Sequence, residues 1–167
     1  YYKQWYVPNN MAICMSGDLD PDATIALIDK YFGGLKPNPE LPKLDLPKEA
    51  PITQPVVKEV LGPDAESVAL AWRFPGVSDK DFEILQVVSQ VLYNGKAGLI
   101  DLDLNQQQKV LNSYGYPMGL ADYSALLLGG LPKQGQTLEE VKDLLLSEIK
   151  KLRAGEFDEK MLEANIN

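Results

Sequence analysis

Histidine is missing from all 167 residues, and that absence removes more chemistry than most motifs could supply. Ser-His-Asp and Cys-His nucleophile systems, histidine general bases and the common zinc ligand sets all need an imidazole. Cysteine is almost missing too. Cys14 stands alone inside the apolar run Met11-Ala12-Ile13-Cys14-Met15, so it cannot form an internal disulfide and reads as a small buried hydrophobe. A single cysteine leaves the compartment open between cytoplasm and periplasm. Positive charge is also scarce, with 16 Lys and Arg against 24 Asp and Glu and a net charge of -8. No basic cluster exists to neutralise phosphates, which excludes a nucleic-acid surface. No apolar run reaches bilayer-spanning length, and the N-terminus lacks the order of a signal peptide. The expectation is a soluble piece.

What is present reads as alternating elements. A content of 45% hydrophobic residues suffices for a core, and the length fits a single domain over 1–167. Met11 to Met15 predicts a buried strand. Asp20 and Pro21 then supply an N-cap and a first helical residue, Ile25, Ile28 and Phe32 share a face, and Gly33 or Gly34 offers a left-handed stop. Pro37, Pro39, Pro42, Pro47, Pro51 and Pro55 make residues 36–55 an extended surface connector, with Leu41, Leu44 and Leu46 lying against the surface.

Val56 to Leu61 and Ser67 to Phe74 read as strands joined in a hairpin through Gly62-Pro63-Asp64. Ser78 and Asp81 open a helix carrying Phe82, Leu85, Val88 and Leu92. Ala97 to Gln108 permits a helix or a strand. Val110 to Tyr116 and Ala121 to Leu131 predict a strand pair broken by Pro117 and Gly119, with Gly129-Gly130 as a turn. Thr137 and Glu140 form a capping box for a long amphipathic helix bearing Val141, Leu144, Leu145, Glu148 and Leu152 and ending at Gly155. A last helix, stapled by Phe157 and Leu162, runs to the end of the chain. Paired strands without strict βαβ alternation predict an α+β fold, a mainly antiparallel sheet with helices packed on one face. Both ends read as cut from a longer polypeptide.

The chemical candidates are weak. Gly95-Lys96-Ala97-Gly98 lacks P-loop spacing and reads as a turn between helices. Asp18, Asp20 and Asp22 lack the glycine and distal glutamate of a calcium loop and read as capping residues. Asp101 and Asp103 have no nucleophile or metal beside them and read as a solvated face. Arg73, Tyr114, Tyr116 and Tyr123 offer apolar area with polar tips suited to lining a peptide-binding surface, or to simple packing. The residues thus identify no catalytic, cofactor or metal site.

Several motifs together resemble a known family. Tyr1-Tyr2 and Tyr6-x-Pro-x-Asn-Met, then Ser16-Gly17-Asp18-x-Asp20-Pro21, then Ile28 through Tyr31-Phe32-Gly33 are similar to the junction between successive domains in the pitrilysin/insulinase/mitochondrial-processing-peptidase family. Ala71-Trp72-Arg73-Phe74-Pro75-Gly76 and the helices within 137–163 are consistent with the second of those domains. The resemblance implies that residues 1–9 are the tail of a preceding domain. It also implies that zinc and its H-x-x-E-H motif lie outside this fragment, in the full-length parent. The fragment's implied role is a non-catalytic domain that packs on the zinc-bearing domain and walls a chamber for peptide substrates. Its implied partners are that domain and the second half of the same polypeptide or a partner subunit. In the C-terminal half of active members an Arg and a Tyr help bind substrate; the matching positions here are Asn105 and Asn112, which fits a domain of the N-terminal half or a degenerate homologue. Two other readings stand beside this one: a structural subunit or pseudo-peptidase, and an unrelated peptide-binding α+β module.

Overall fold

In the computed structural model the described residues are 1–43 and 47–166, the side chains of 164–166 excepted. They divide into two units, Tyr1–Lys58 and Glu59–Asn167. Leu44 and Leu46, two of the leucines expected to lie along the surface, fall outside the described residues.

In the first unit, α1 (Tyr2–Trp5), a 3-10 turn (Pro8–Asn10) and α2 (Pro21–Phe32) are the regular elements among the described residues. Helix α2 starts as expected, with Asp20 Oδ1 accepting the Ala23 N–H at 2.9 Å and Pro21 in the first turn. It ends differently. Gly33 caps it in the right-handed region at φ -61°, its N–H bonded to Asp29 O, so no left-handed residue is used. Asn9 and Asn38 exchange side-chain and backbone hydrogen bonds at 2.8 and 3.0 Å and tie the connector back to the 3-10 turn.

Two expected strands do not form. Met11 to Met15 is exposed and irregular, and Cys14 is exposed with it. Val56, Val57, Val60 and Leu61 are 73–91% exposed, so the hairpin across Gly62-Pro63-Asp64 is absent. An apolar β-branched run becomes a strand only when a neighbour completes its hydrogen-bond ladder, and composition cannot supply that neighbour.

The second unit carries the sheet. Strands β1 (Val68–Pro75), β2 (Asn112–Gly119) and β3 (Tyr123–Leu131) form an antiparallel sheet in the order β1-β3-β2. Helix α3 (Lys80–Leu92) packs on β2 and β1, α4 (Leu138–Ala154) on β3 and β1, and α5 (Glu159–Ile166) on α3. Leu126 and Leu128 of β3 meet Leu85, Leu92, Ile100, Leu104, Val141 and Leu145 in one buried core. Each such leucine contributes about 1.5–3 kcal/mol relative to exposure. The α+β architecture with helices against a sheet is therefore the one expected.

Three local readings change. The cap of α3 is Asp79, which accepts the Asp81 N–H at 3.0 Å, and not Ser78. Pro117 and Gly119 lie within β2; β2 is an edge strand, where a proline can face away from the ladder. Gly129 and Gly130 sit inside central strand β3, not in a turn. A Cβ at Gly129 would run into the Tyr114 ring, and one at Gly130 into Val141 of α4. The glycines are there because a ring and a helix approach the strand closely. Helix α4 follows its sequence throughout: the Thr137–Glu140 capping box is complete and Gly155 closes it at φ 73°.

Candidate functional site

The segment between α3 and β2 holds most of the polar chemistry. Asp101 Oδ2 accepts the N–H groups of Asn94, Gly95 and Gly98, each at 3.0 Å. Asp101 is therefore buried as an internal anchor, contrary to a solvated face. The same bonds occupy the Gly95 and Gly98 amides that an anion cradle would need, in keeping with the turn reading.

After Asp101 the helix widens into a π-helical turn, Asp101–Asn105, with Gln106 N bonding Asp101 O at 2.8 Å. Such turns are rare and place side chains off the usual helical spacing. The Asn105 amide uses this offset. Its Oδ1 accepts from Ser113 N and Ser113 Oγ, and its Nδ2 donates to Ser113 O, all at 2.8 Å. Asn105, which the resemblance would set at the place of a substrate-binding arginine, thus clamps the start of β2 through its amide. Asn112, matched to the tyrosine, is exposed.

Asp103 is half-buried and paired. Lys151 Nζ of α4 donates to Asp103 Oδ2 at 2.5 Å and to both Glu148 carboxylate oxygens at 3.0 and 3.1 Å. The Lys151 hydrogen bond holds the Asp103 carboxyl below its ordinary range, and the same bond raises Lys151. Burial raises Glu148, only partly opposed by Lys151. The arrangement ties the π-helical turn to α4. Glu148 on the apolar face of a helix was its sequence signal, since a buried carboxylate requires a partner.

Zinc does not fit these residues. Among the described residues no group of three or more His, Cys, Asp or Glu converges on a point, and Asp103 and Glu148 share the Lys151 ammonium. A shallow cavity of 310 Å³ at Pro75, Gly76, Ser78, Asp79, Ala121 and Asp122 brings two carboxylates near, but Asp79 is the α3 cap.

The other face of the sheet is different. Side chains alternate along a strand, so the register places Arg73, Tyr114, Tyr116 and Tyr123 on one face, opposite Leu126 and Leu128. Tyr114 and Tyr116 stack with ring centroids 6.3 Å apart, and the Arg73 guanidinium lies 4.8 Å from the Tyr123 ring centroid. All four residues expected as a peptide-contact set share this face.

A helix-backed antiparallel sheet defines an α+β domain, and among the described residues no metal-ligand set forms. The family described as Peptidase M16 inactive domain matches residues 1–167, and the chain belongs to that family. The zinc protease PqqE of Helicobacter pylori is 26% identical over 170 residues, covering 98% of this chain and 38% of that protein. The crystal structure of a protease from Helicobacter pylori shares the fold with a TM-score of 0.78 at 21% identity, covering 97% of this chain and 40% of that one. The chain thus spans about two fifths of the length of both. Among the described residues no helix is long and apolar enough to cross a membrane.

Proposed function

We propose that this domain serves a pitrilysin-type zinc peptidase without performing its chemistry. It packs against a zinc-bearing domain of the same polypeptide or of a partner subunit, and with it walls a chamber that receives peptides. Residues 1–9 are the tail of the domain before it. The observation that carries this reading is a match to an inactive peptidase domain along residues 1–167 in a chain with no histidine.

The test is reconstitution. A zinc-bearing domain expressed alone and then together with residues 1–167 is assayed on an unfolded peptide, with zinc content measured in parallel. Zinc-dependent hydrolysis that needs both parts supports the proposal; hydrolysis unaffected by this domain contradicts it. Asn105 and Asn112 in place of the arginine and tyrosine also fit a pseudo-peptidase subunit. A neighbouring domain without H-x-x-E-H would decide for that second reading.

A further inference from the structure

We propose that the π-helical turn Asp101–Asn105 is a three-way joint that holds or releases as one unit, so that a displacement of α4 is passed to the start of β2 and to the loop 94–98. Alternate residues of the turn each hold a different element. Asp101 carries the loop through the amides of Asn94, Gly95 and Gly98, Asp103 reaches α4 through Lys151, and Asn105 grips Ser113 at the start of β2. Between them, Leu104 is fully buried in the core that includes Val141 and Leu145 of α4. None of this depends on the chain's role in a peptidase.

The ties select the register of the turn. Gln106 N bonds Asp101 O and Lys109 N bonds Leu104 O, each across five residues where an α-helix spans four. Such widened turns are rare and recur at functional sites. Just beyond, Gln108 lies at φ 51°, a left-handed conformation that a residue with a side chain keeps only where its surroundings hold it. Lys133 Nζ donates to Gln108 O at 2.8 Å and Gln136 Nε2 to Lys109 O at 3.0 Å. An ordinary α-helical turn is the competing state. Tightening to it moves the bonding pattern by one residue, a rotation of about 100°, and carries Asp103 and Asn105 away from Lys151 and Ser113 together. Each tie therefore favours the register that the other two need, and cutting one weakens all three.

The experiment is hydrogen exchange of the 167-residue chain carrying Asp103→Ala, which cuts the link to α4 and leaves the Lys151–Glu148 pair in place. Asp103 is partly exposed, so the core is kept. The probes are the amides of Asn94, Gly95, Gly98 and Ser113, which donate to Asp101 and Asn105 and not to Asp103. All four are expected to exchange about fivefold faster or more, by a similar factor, while Leu126 and Leu128 in central strand β3 serve as the reference. Glu139→Ala removes an exposed ion pair at the other end of α4 and should leave the four rates unchanged. In urea unfolding, Asp103→Ala and Asn105→Ala combined are expected to cost less than the sum of the two, because the first already loosens what the second removes. Unchanged exchange at Ser113, equal acceleration by Glu139→Ala, or strict additivity of the two substitutions overturns the proposal.

Discussion

Asn105 makes one amide serve both backbone polar groups of Ser113 and its hydroxyl. Asn105→Ala strands buried groups of Ser113, and we expect a loss of about 1–3 kcal/mol in urea unfolding. Asp101→Ala should leave the amides of Asn94, Gly95 and Gly98 without their acceptor. Hydrogen exchange at those three positions is expected to accelerate well before the core amides respond. The Lys151 cluster sets pH dependence. Asp103 is depressed, so its contribution is present above its ordinary value of 3.8 and is lost as pH falls through the folded-state value. Asp103→Asn should flatten that acid limb, leaving the share due to Glu140, which the Thr137 backbone N–H also depresses. Glu148 is raised, so its effect has the opposite sense: folding loses stability as pH rises from 4.5 through the folded-state value. Glu148→Gln should therefore gain on the wild type as pH increases over that window in thermal melts.

Residue-level roles were legible only where local physics decides them. Asp20, Thr137 and Gly155 act within a single turn, and their capping roles follow from residue type and position. Asp101 acts on amides three to seven positions earlier, around a turn whose path no pattern specifies. Asp103 reaches Lys151 across 48 positions. Without that contact in view, both aspartates read as solvated.

Among the elements, helices were more readable than strands for a physical reason. The hydrogen bonds of α4 are internal to it, and Val141, Leu145 and Glu148 mark its buried face unaided. Thr137→Ala should cost about 1 kcal/mol through loss of the cap. Strands depend on partners. Ser67 to Phe74 acquires β3 as a neighbour and becomes β1, whereas Met11 to Met15, wholly apolar, and Val56 to Leu61, mostly apolar, form no strand. The glycine pair shows the same dependence. Gly130 reads as punctuation in sequence, yet in the sheet it is the space into which Val141 of α4 fits. Gly130→Ala is expected to destabilise by about 1–3 kcal/mol through overpacking, while Gly34→Ala, with no neighbour within 4 Å of the added carbon, should stay near the wild type. Denaturant titration of the pair checks the contrast.

At the scale of the molecule, the expected architecture and family were readable from the sequence because they rest on many residues at once. The missing histidines exclude imidazole chemistry wherever the chain folds, and the motifs from Tyr1 to Gly33 carry the resemblance even though their expected strand is not formed. The four-residue face was half legible: Arg73, Tyr114, Tyr116 and Tyr123 stood out as residue types, but only the strand register puts them side by side. The family membership leads to the expectation that this domain by itself binds no zinc and cleaves no peptide. Its most direct test loads the purified chain with excess zinc, removes unbound metal, and measures bound zinc by elemental analysis alongside cleavage of an unfolded peptide. We expect zinc far below one equivalent and no cleavage above background; stoichiometric zinc that stimulates hydrolysis would show instead that the domain carries a catalytic metal site of its own.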